Sequence, residues 1–146
     1  MKHKRFVTSI LALVFMLVFA TSVFAAKGIG DTQESAITIF PKNAVNLYIE
    51  GNTDKDWFTW TNNTGKMQRF VAWIQPKDDW NNFRLALKIQ YIDNTSTGLM
   101  YANYNIGPHQ FIENIYIPNG AKLYLLVEKV NHSLTQYSLN FDVNDI

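Results

Sequence analysis

The 146-residue chain contains no cysteine, only four prolines and seven glycines. Without cysteine there is no disulfide staple, no thiolate nucleophile and no thiolate metal ligand, so burial must hold the folded state together. Histidine is almost as scarce. His3 lies in a basic N-terminal stretch, His109 follows a Gly-Pro pair and His132 sits in Asn-His-Ser. Two distant histidines do not make a zinc site, and each reads as a solvated turn residue rather than a catalytic base. No glycine-rich phosphate loop and no G-x-S-x-G elbow occurs. The twelve acidic residues are scattered, with no evident pair set for the two-carboxylate chemistry of glycoside hydrolysis. Lys and Arg are not clustered, which argues against nucleic acid or an anionic surface as partner. These absences together point away from an enzyme.

What is present begins at the N-terminus, MKHKRFVTSILALVFMLVFATSVFA. Lys2, Lys4 and Arg5 precede an apolar stretch over residues 6–20, and Val23-Phe24-Ala25 supplies the small residues a signal peptidase reads. Residues 1–25 are therefore expected to be a cleaved signal peptide. The apolar run is shorter than the roughly 20 residues of a bilayer span, so no stable membrane insertion is expected after cleavage. The expected destination is secreted, in a bacterial setting. The basic N-terminus carries the excess positive charge; the rest of the chain holds ten basic against twelve acidic residues. The remaining 121 residues suit a single domain.

Beyond Ala36 the apolar residues repeat every two positions. In FRLALKIQY, Phe83, Leu85, Leu87, Ile89 and Tyr91 share one face; in QYSLNFDV, Tyr137, Leu139, Phe141 and Val143 do the same. AITIF, AVNLYIE, DWFTWT, QRFVAWIQ, LMYANY, FIENIYIP and KLYLLVEKV read as further strands. KLYLLV is apolar on both faces and predicts a central strand. Turn signals separate them, among them Gly51-Asn52, Asn62-Asn63-Thr64-Gly65, Gly107-Pro108 and Pro118-Asn119-Gly120. About nine short strands predict an all-β antiparallel sandwich over residues 36–146, entered through a flexible leader at residues 26–35.

One stretch invites a chemical reading. GNTDKDWFTW places Asp54 and Asp56 in a polar loop, and Asp31 and Glu34 could join them if the leader folds back. Calcium takes several oxygen ligands from such loops. Asp31, Asp54 and Asp56 are therefore the candidate calcium ligands. The alternative is that Asp54 and Asp56 shape a turn through local hydrogen bonds while Trp57 or Phe58 starts the core.

GDTQESA before an apolar strand, IEGNTDKDWFTW, NGAKLYLLV and a closing YSLNFDV together resemble the bacterial pre-peptidase C-terminal domain family, to which collagen-binding domains of collagenases are related. The motif positions fall on Glu34-Ser35-Ala36, on Gly51, Asp54, Asp56, Trp57, Phe58 and Trp60, on Gly120, Tyr124 and Val127, and on Tyr137, Leu139 and Phe141. The resemblance implies a jelly-roll-like sandwich, non-catalytic, in a family where some members bind extracellular polymers or calcium. Two departures stand out. No peptidase sequence precedes the domain, so it is expected to be an exported product in its own right. The acidic run that calcium-binding members carry before the E-T-A position is replaced by Gly28-Ile29-Gly30-Asp31, which removes ligands.

The expectation is thus a secreted binding module for an extracellular polysaccharide or protein. The alternative is a structural or regulatory partner, inhibitor-like or chaperone-like, of a co-secreted hydrolase. Flat rings stack on sugars or fill partner pockets, and Trp80, Trp73, Tyr101 and Tyr104 are the candidate contact residues. Trp57 and Trp60 lie an odd offset apart, so at most one of them points outward. Trp80, in the polar stretch PKDDWNN, is the leading single candidate.

Overall fold

A computed structural model describes residues 28–102, 104–106 and 109–146, with residues 104–106 described as backbone only. The proposed signal peptide lies outside the described residues. Ten strands follow in order: β1 (Ile37–Thr38), β2 (Val45–Glu50), β3 (Lys55–Thr61), β4 (Gln68–Pro76), β5 (Phe83–Gln90), β6 (Met100–Tyr101), β7 (Tyr104–Ile106), β8 (His109–Ile117), β9 (Lys122–Lys129) and β10 (Leu134–Asp145). A single 3₁₀ turn at Trp80–Asn82 is the one helical element among the described residues.

The strands form two five-stranded sheets, ordered β1-β3-β9-β5-β6 and β2-β10-β4-β8-β7. All pairings are antiparallel except the short β1–β3 contact. The architecture is the expected β-sandwich. β9 is the central strand of the first sheet. It is apolar on both sides because Leu123, Leu125 and Val127 enter the core while Tyr124 and Leu126 are covered on the opposite face.

Period-two alternation puts one face of each strand inside. Aromatic contacts then join the layers. Phe141 of β10 lies 6.0 Å from the Trp60 ring of the facing sheet and 5.7 Å from Phe70 of its own. Tyr137 lies 5.8 Å from Phe83. A polar stitch accompanies them: the Gln110 carboxamide accepts the Leu85 N–H at 2.9 Å and donates to the Phe83 carbonyl. A side chain of one sheet thus takes the place of a missing neighbour strand along the start of β5.

Two features depart from the simple alternation. LMYANY, read as one strand, is divided: Met100 and Tyr101 pair with β5 in the first sheet, and Tyr104 pairs with Phe111 in the second. In β8 the register slips, since Phe70 faces Ile115 whereas Ala72 faces Ile112. Two residues, Glu113 and Asn114, therefore oppose Val71. Asn114 adopts φ 60°, a left-handed conformation that asparagine tolerates better than most residues. The bulge inverts the phase of β8. Without it Phe111 would share the inward phase of Ile115; with it Ile112 is buried and Phe111 is turned to the outer side.

Residues 28–35 are held against β3. The Trp57 N–H donates to the Gly30 carbonyl at 2.7 Å, and a Cβ at Gly30 would stand 3.0 Å from the Trp57 carbonyl oxygen, so only glycine fits this approach. Gln33 accepts from the Lys88 ammonium at 3.0 Å.

Removing a ring that serves both sheets should be costly. Phe141→Ala is expected to lower stability by about 3–5 kcal/mol, measured by urea unfolding, whereas Tyr116→Ala, on the exposed outer surface, should change it by less than about 0.5 kcal/mol. Equal effects would show that Phe141 does not anchor the sandwich.

Candidate functional site

The three aspartates singled out from sequence do gather at one end of the sandwich. Asp54 precedes β3 and accepts the Glu50 N–H at 2.7 Å, closing the β2–β3 turn. Asp56, the second residue of β3, shares the inward phase of Phe58 and Trp60 and is 3% exposed. Its carboxylate accepts the Tyr137 hydroxyl at 2.6 Å, across the two sheets. Asp31 brings an Oδ1 that is buried without a hydrogen-bond partner. Gly28, Asp31, Glu50, Asp54 and His132 line an open cleft of about 760 Å³.

Burial pushes the Asp56 carboxyl up from 3.8 to about 6 against the opposing Tyr137 hydrogen bond, and the neighbouring Asp54 and Asp31 charges push it in the same direction as burial. Burial, with the adjacent Asp56 charge, also holds the Tyr137 phenol well above its usual range. Asp56 therefore faces the interior rather than shaping the turn. It is a buried acid hydrogen-bonded to Tyr137, while Asp31 and Asp54 line the cleft with Glu50 and His132. Among the described residues no three His, Cys, Asp or Glu side chains form a group able to hold a metal ion.

The four aromatic candidates fall in three separate places. Trp80, 40% exposed, stands at the end of the sandwich on the β4–β5 connection. The preceding residue, Asp79, is tightly held. Its carboxylate accepts from Asn131, Asn82 and Ser133 and lies 3.2 Å from the buried Lys129 ammonium. Those donors, Asn131 foremost, keep the Asp79 carboxyl well below the usual carboxylate range. Tyr101 lies on the outside of the first sheet, where its hydroxyl donates to Glu128 at 3.1 Å. Trp57 occupies the same outer side and Trp60 the core, so the two tryptophans do face opposite ways.

Trp73 belongs to the outer side of the second sheet, and the Tyr104 backbone pairs with Phe111 in that sheet. Asn140, Trp73, Phe111 and Tyr104 occupy one register row across β10, β4, β8 and β7. The Trp73 and Phe111 rings are stacked, 6.2 Å apart and inclined by 22°, and His109 packs on Phe111 at 5.9 Å. His109 thus opens strand β8 rather than sitting in a solvated turn. One row further, Asn46, Ser138 and Gln75 lie side by side. With Lys77 and Gln136 they border an open groove of about 460 Å³. Sequence reading missed Phe111 because period two alone assigns it no side. The available signal was the apolar doublet Phe111-Ile112 followed by Asn114.

No family model matches the chain, and no curated protein sequence matches it. Solved structures do. The pre-peptidase C-terminal domain of a Bacillus anthracis collagenase superposes with a TM-score of 0.54 at 18% identity, covering 73% of this chain and 94% of that one. The chain has a pre-peptidase C-terminal-like fold. The same arrangement recurs in the Yersinia pseudotuberculosis-derived mitogen, with a TM-score of 0.53 at 18% identity over 73% of this chain and 90% of that one. These likenesses establish the fold and leave the site to the chemistry of its own residues.

The raised Asp56 carboxyl has a pH consequence. Unfolded it titrates near 3.8 and folded near 6, so between these values the folded state holds the extra proton. Its contribution is most favourable below the unfolded value, declines as pH rises through the window and stays lost above it, a swing of about 3 kcal/mol. Asp56→Asn keeps an acceptor for Tyr137 and removes the titration. The variant is expected to be more stable than the parent by about 1–3 kcal/mol at pH 8, with the difference shrinking towards pH 4. Parallel stability curves for the two proteins would refute the buried-acid assignment.

Proposed function

We propose that the chain is an exported, non-catalytic β-sandwich module that attaches to an extracellular polymer or protein through the outer side of its second sheet. The observation that carries this reading is the β8 bulge. It turns Phe111 out of the core and sets it against Trp73 on the same surface. Bulges that re-aim a side chain recur beside functional sites, and the ring re-aimed here joins Trp73 in a stacked pair on a paired sheet surface.

Other features support export and attachment. The N-terminal 25 residues have the basic, apolar and small-residue sections of a secretory signal. Among the described residues no helix is long and apolar enough to cross a membrane. The two strands that carry Trp73 and Phe111 are interior to their sheet, so the rings stand on paired backbone rather than on a loop. Such sites hold their geometry better than loop-borne ones. Trp80 is a weaker candidate than sequence suggested, since it stands apart from the stacked pair.

The test is retention of the purified protein on insoluble polysaccharides and on collagen. At least one matrix is expected to retain it, Trp73→Ala to abolish retention, and Trp80→Ala and Tyr101→Ala to leave it intact. Loss with Trp80→Ala alone would move the site to the end of the sandwich. A stoichiometric protein partner recovered from culture supernatant, without polymer retention, would favour the regulatory-partner alternative. Millimolar calcium is expected to leave the melting temperature unmoved, because a cation bound only by the folded state must raise it; a rise of several degrees would restore Asp31 and Asp54 as ligands.

A further inference from the structure

The outer side of the second sheet has a chemical character beyond its aromatic pair. Its two adjoining rows contain Asn140, Trp73 and Phe111, then Asn46, Ser138 and Gln75, with no Asp, Glu, Lys or Arg among them. Formal charges begin at the borders: Lys77 at one end of the groove, and Asp142, Glu113 and Arg69 beyond the aromatic row. This neutrality is local. At the β2–β3 end of the sandwich three carboxyl groups influence one another, and the first sheet's outer side carries the Lys55–Glu128 pair.

A polyanion would call for clustered Lys or Arg, and a cationic partner for carboxylates. The two rows themselves have neither. The surface offers a stacked aromatic pair, Trp73 on Phe111, flanked by side chains that both donate and accept hydrogen bonds. A ligand that matches them has an apolar C–H face and many neutral hydroxyls. Gln75 follows Trp73 by two residues on the same side of β4, a separation of about 7 Å. A six-membered sugar ring lying on Trp73 would therefore reach the amides of Gln75 and Asn140 with its edge hydroxyls, and the 460 Å³ groove continues the path for the next residue of a chain.

We propose that this face binds a neutral polysaccharide, one sugar ring stacked on Trp73 and its hydroxyls held by Gln75, Asn140 and Asn46. The inference rests on the reading of the chain as a polymer-attachment module and narrows it to one ligand class. Ser138 donates to the Asn46 carbonyl, which fixes the Asn46 amide so that its nitrogen is the atom left to donate to a ligand. The site has no group that would act on the glycosidic bond: it grips the chain and leaves it intact.

The experiment is an NMR titration of the full exported chain with neutral hexose hexasaccharides of β-1,4, β-1,3 and α-1,4 linkage. Polygalacturonate and a triple-helical collagen peptide serve as charged and protein probes. At least one neutral hexasaccharide is expected to shift the Trp73 indole N–H and the side-chain amides of Gln75 and Asn140. Its affinity should vary by less than twofold between 0.05 and 0.5 M salt, as befits an uncharged ligand. Trp73→Ala should weaken binding at least tenfold and Gln75→Ala about three- to tenfold, while Trp73→Phe, which keeps a ring, should recover part of the loss. Unchanged thermal unfolding of the Gln75→Ala protein separates lost contact from lost fold. Binding of polygalacturonate or the collagen peptide at these same residues, with the neutral sugars inert, would overturn the ligand class and leave the attachment reading standing. Neutral-sugar binding that maps elsewhere would overturn the site. No binding to any probe or insoluble matrix would overturn both.

Discussion

Phe141 lies between Trp60 of one sheet and Phe70 of the other, and the position of the sheets relative to each other depends on contacts of this kind. A chain without disulfides has only packing and hydrogen bonds to prevent two twisted sheets from sliding. β10 supplies most of them. Phe141 engages one part of the interior, while Tyr137 meets Phe83 and reaches Asp56 further along the same strand. Gln110 adds a third point by completing the hydrogen bonds at the start of β5. Three inter-sheet ties at different places along the sandwich fix both offset and rotation, so the outer surfaces inherit a defined geometry.

Much of this was legible in the residues, because it is local. Period two in FRLALKIQY and QYSLNFDV specifies strands with one buried face, and the doubly apolar KLYLLV specifies the centre of a sheet. The placement of Asp56 was legible as well: Asp56, Phe58 and Trp60 share one phase, so a strand that buries the two rings must bury the acid. Its loop-like surroundings in GNTDKDWFTW drew attention to chemistry instead. What could not be read depends on partners distant in the chain. LMYANY divides because its two ends find different sheets, and nothing within those six residues encodes which strand edge is vacant. The bulge in β8 is likewise a matter of register against β4.

Asn62 shows the same limit on a smaller scale. Its sequence context, Asn62-Asn63-Thr64-Gly65, announces a turn, and a turn is found. Yet Asn62 is fully buried, donating to the Ile117 and Lys66 carbonyls at 2.8 Å each and accepting from the Thr64 hydroxyl at 2.7 Å. A polar side chain satisfied on every side stabilises by specifying one local arrangement. Propensity identifies the residue type at such a position but not the carbonyl of a strand 55 residues away that it will meet.

The two ends of β4 explain why the outer surface of the second sheet, where attachment is proposed, has a geometry set in advance. At one end, Asn62 and the Gln68 amide, which donates to Asp145 at 2.7 Å, tie the entry of the strand to β8 and β10. At the other, the Lys77 N–H continues the ladder to the Gln136 carbonyl at 2.9 Å, and Asp79 then anchors the following turn to Lys129. That ammonium is buried, sits 5.4 Å from the Phe83 ring and donates to the Ser133 carbonyl and the Thr135 hydroxyl at 2.7 Å each. A buried charge is tolerated only when its donors are satisfied, so any displacement of the 77–82 connection would leave Lys129 partly unpaired. The same network that leaves Trp80 standing out at the edge therefore clamps β4 at its exit. Trp73 and Gln75 lie between two clamped ends, on a strand paired along both sides. Their spacing is set before any ligand arrives, which lowers the ordering cost that binding would otherwise carry.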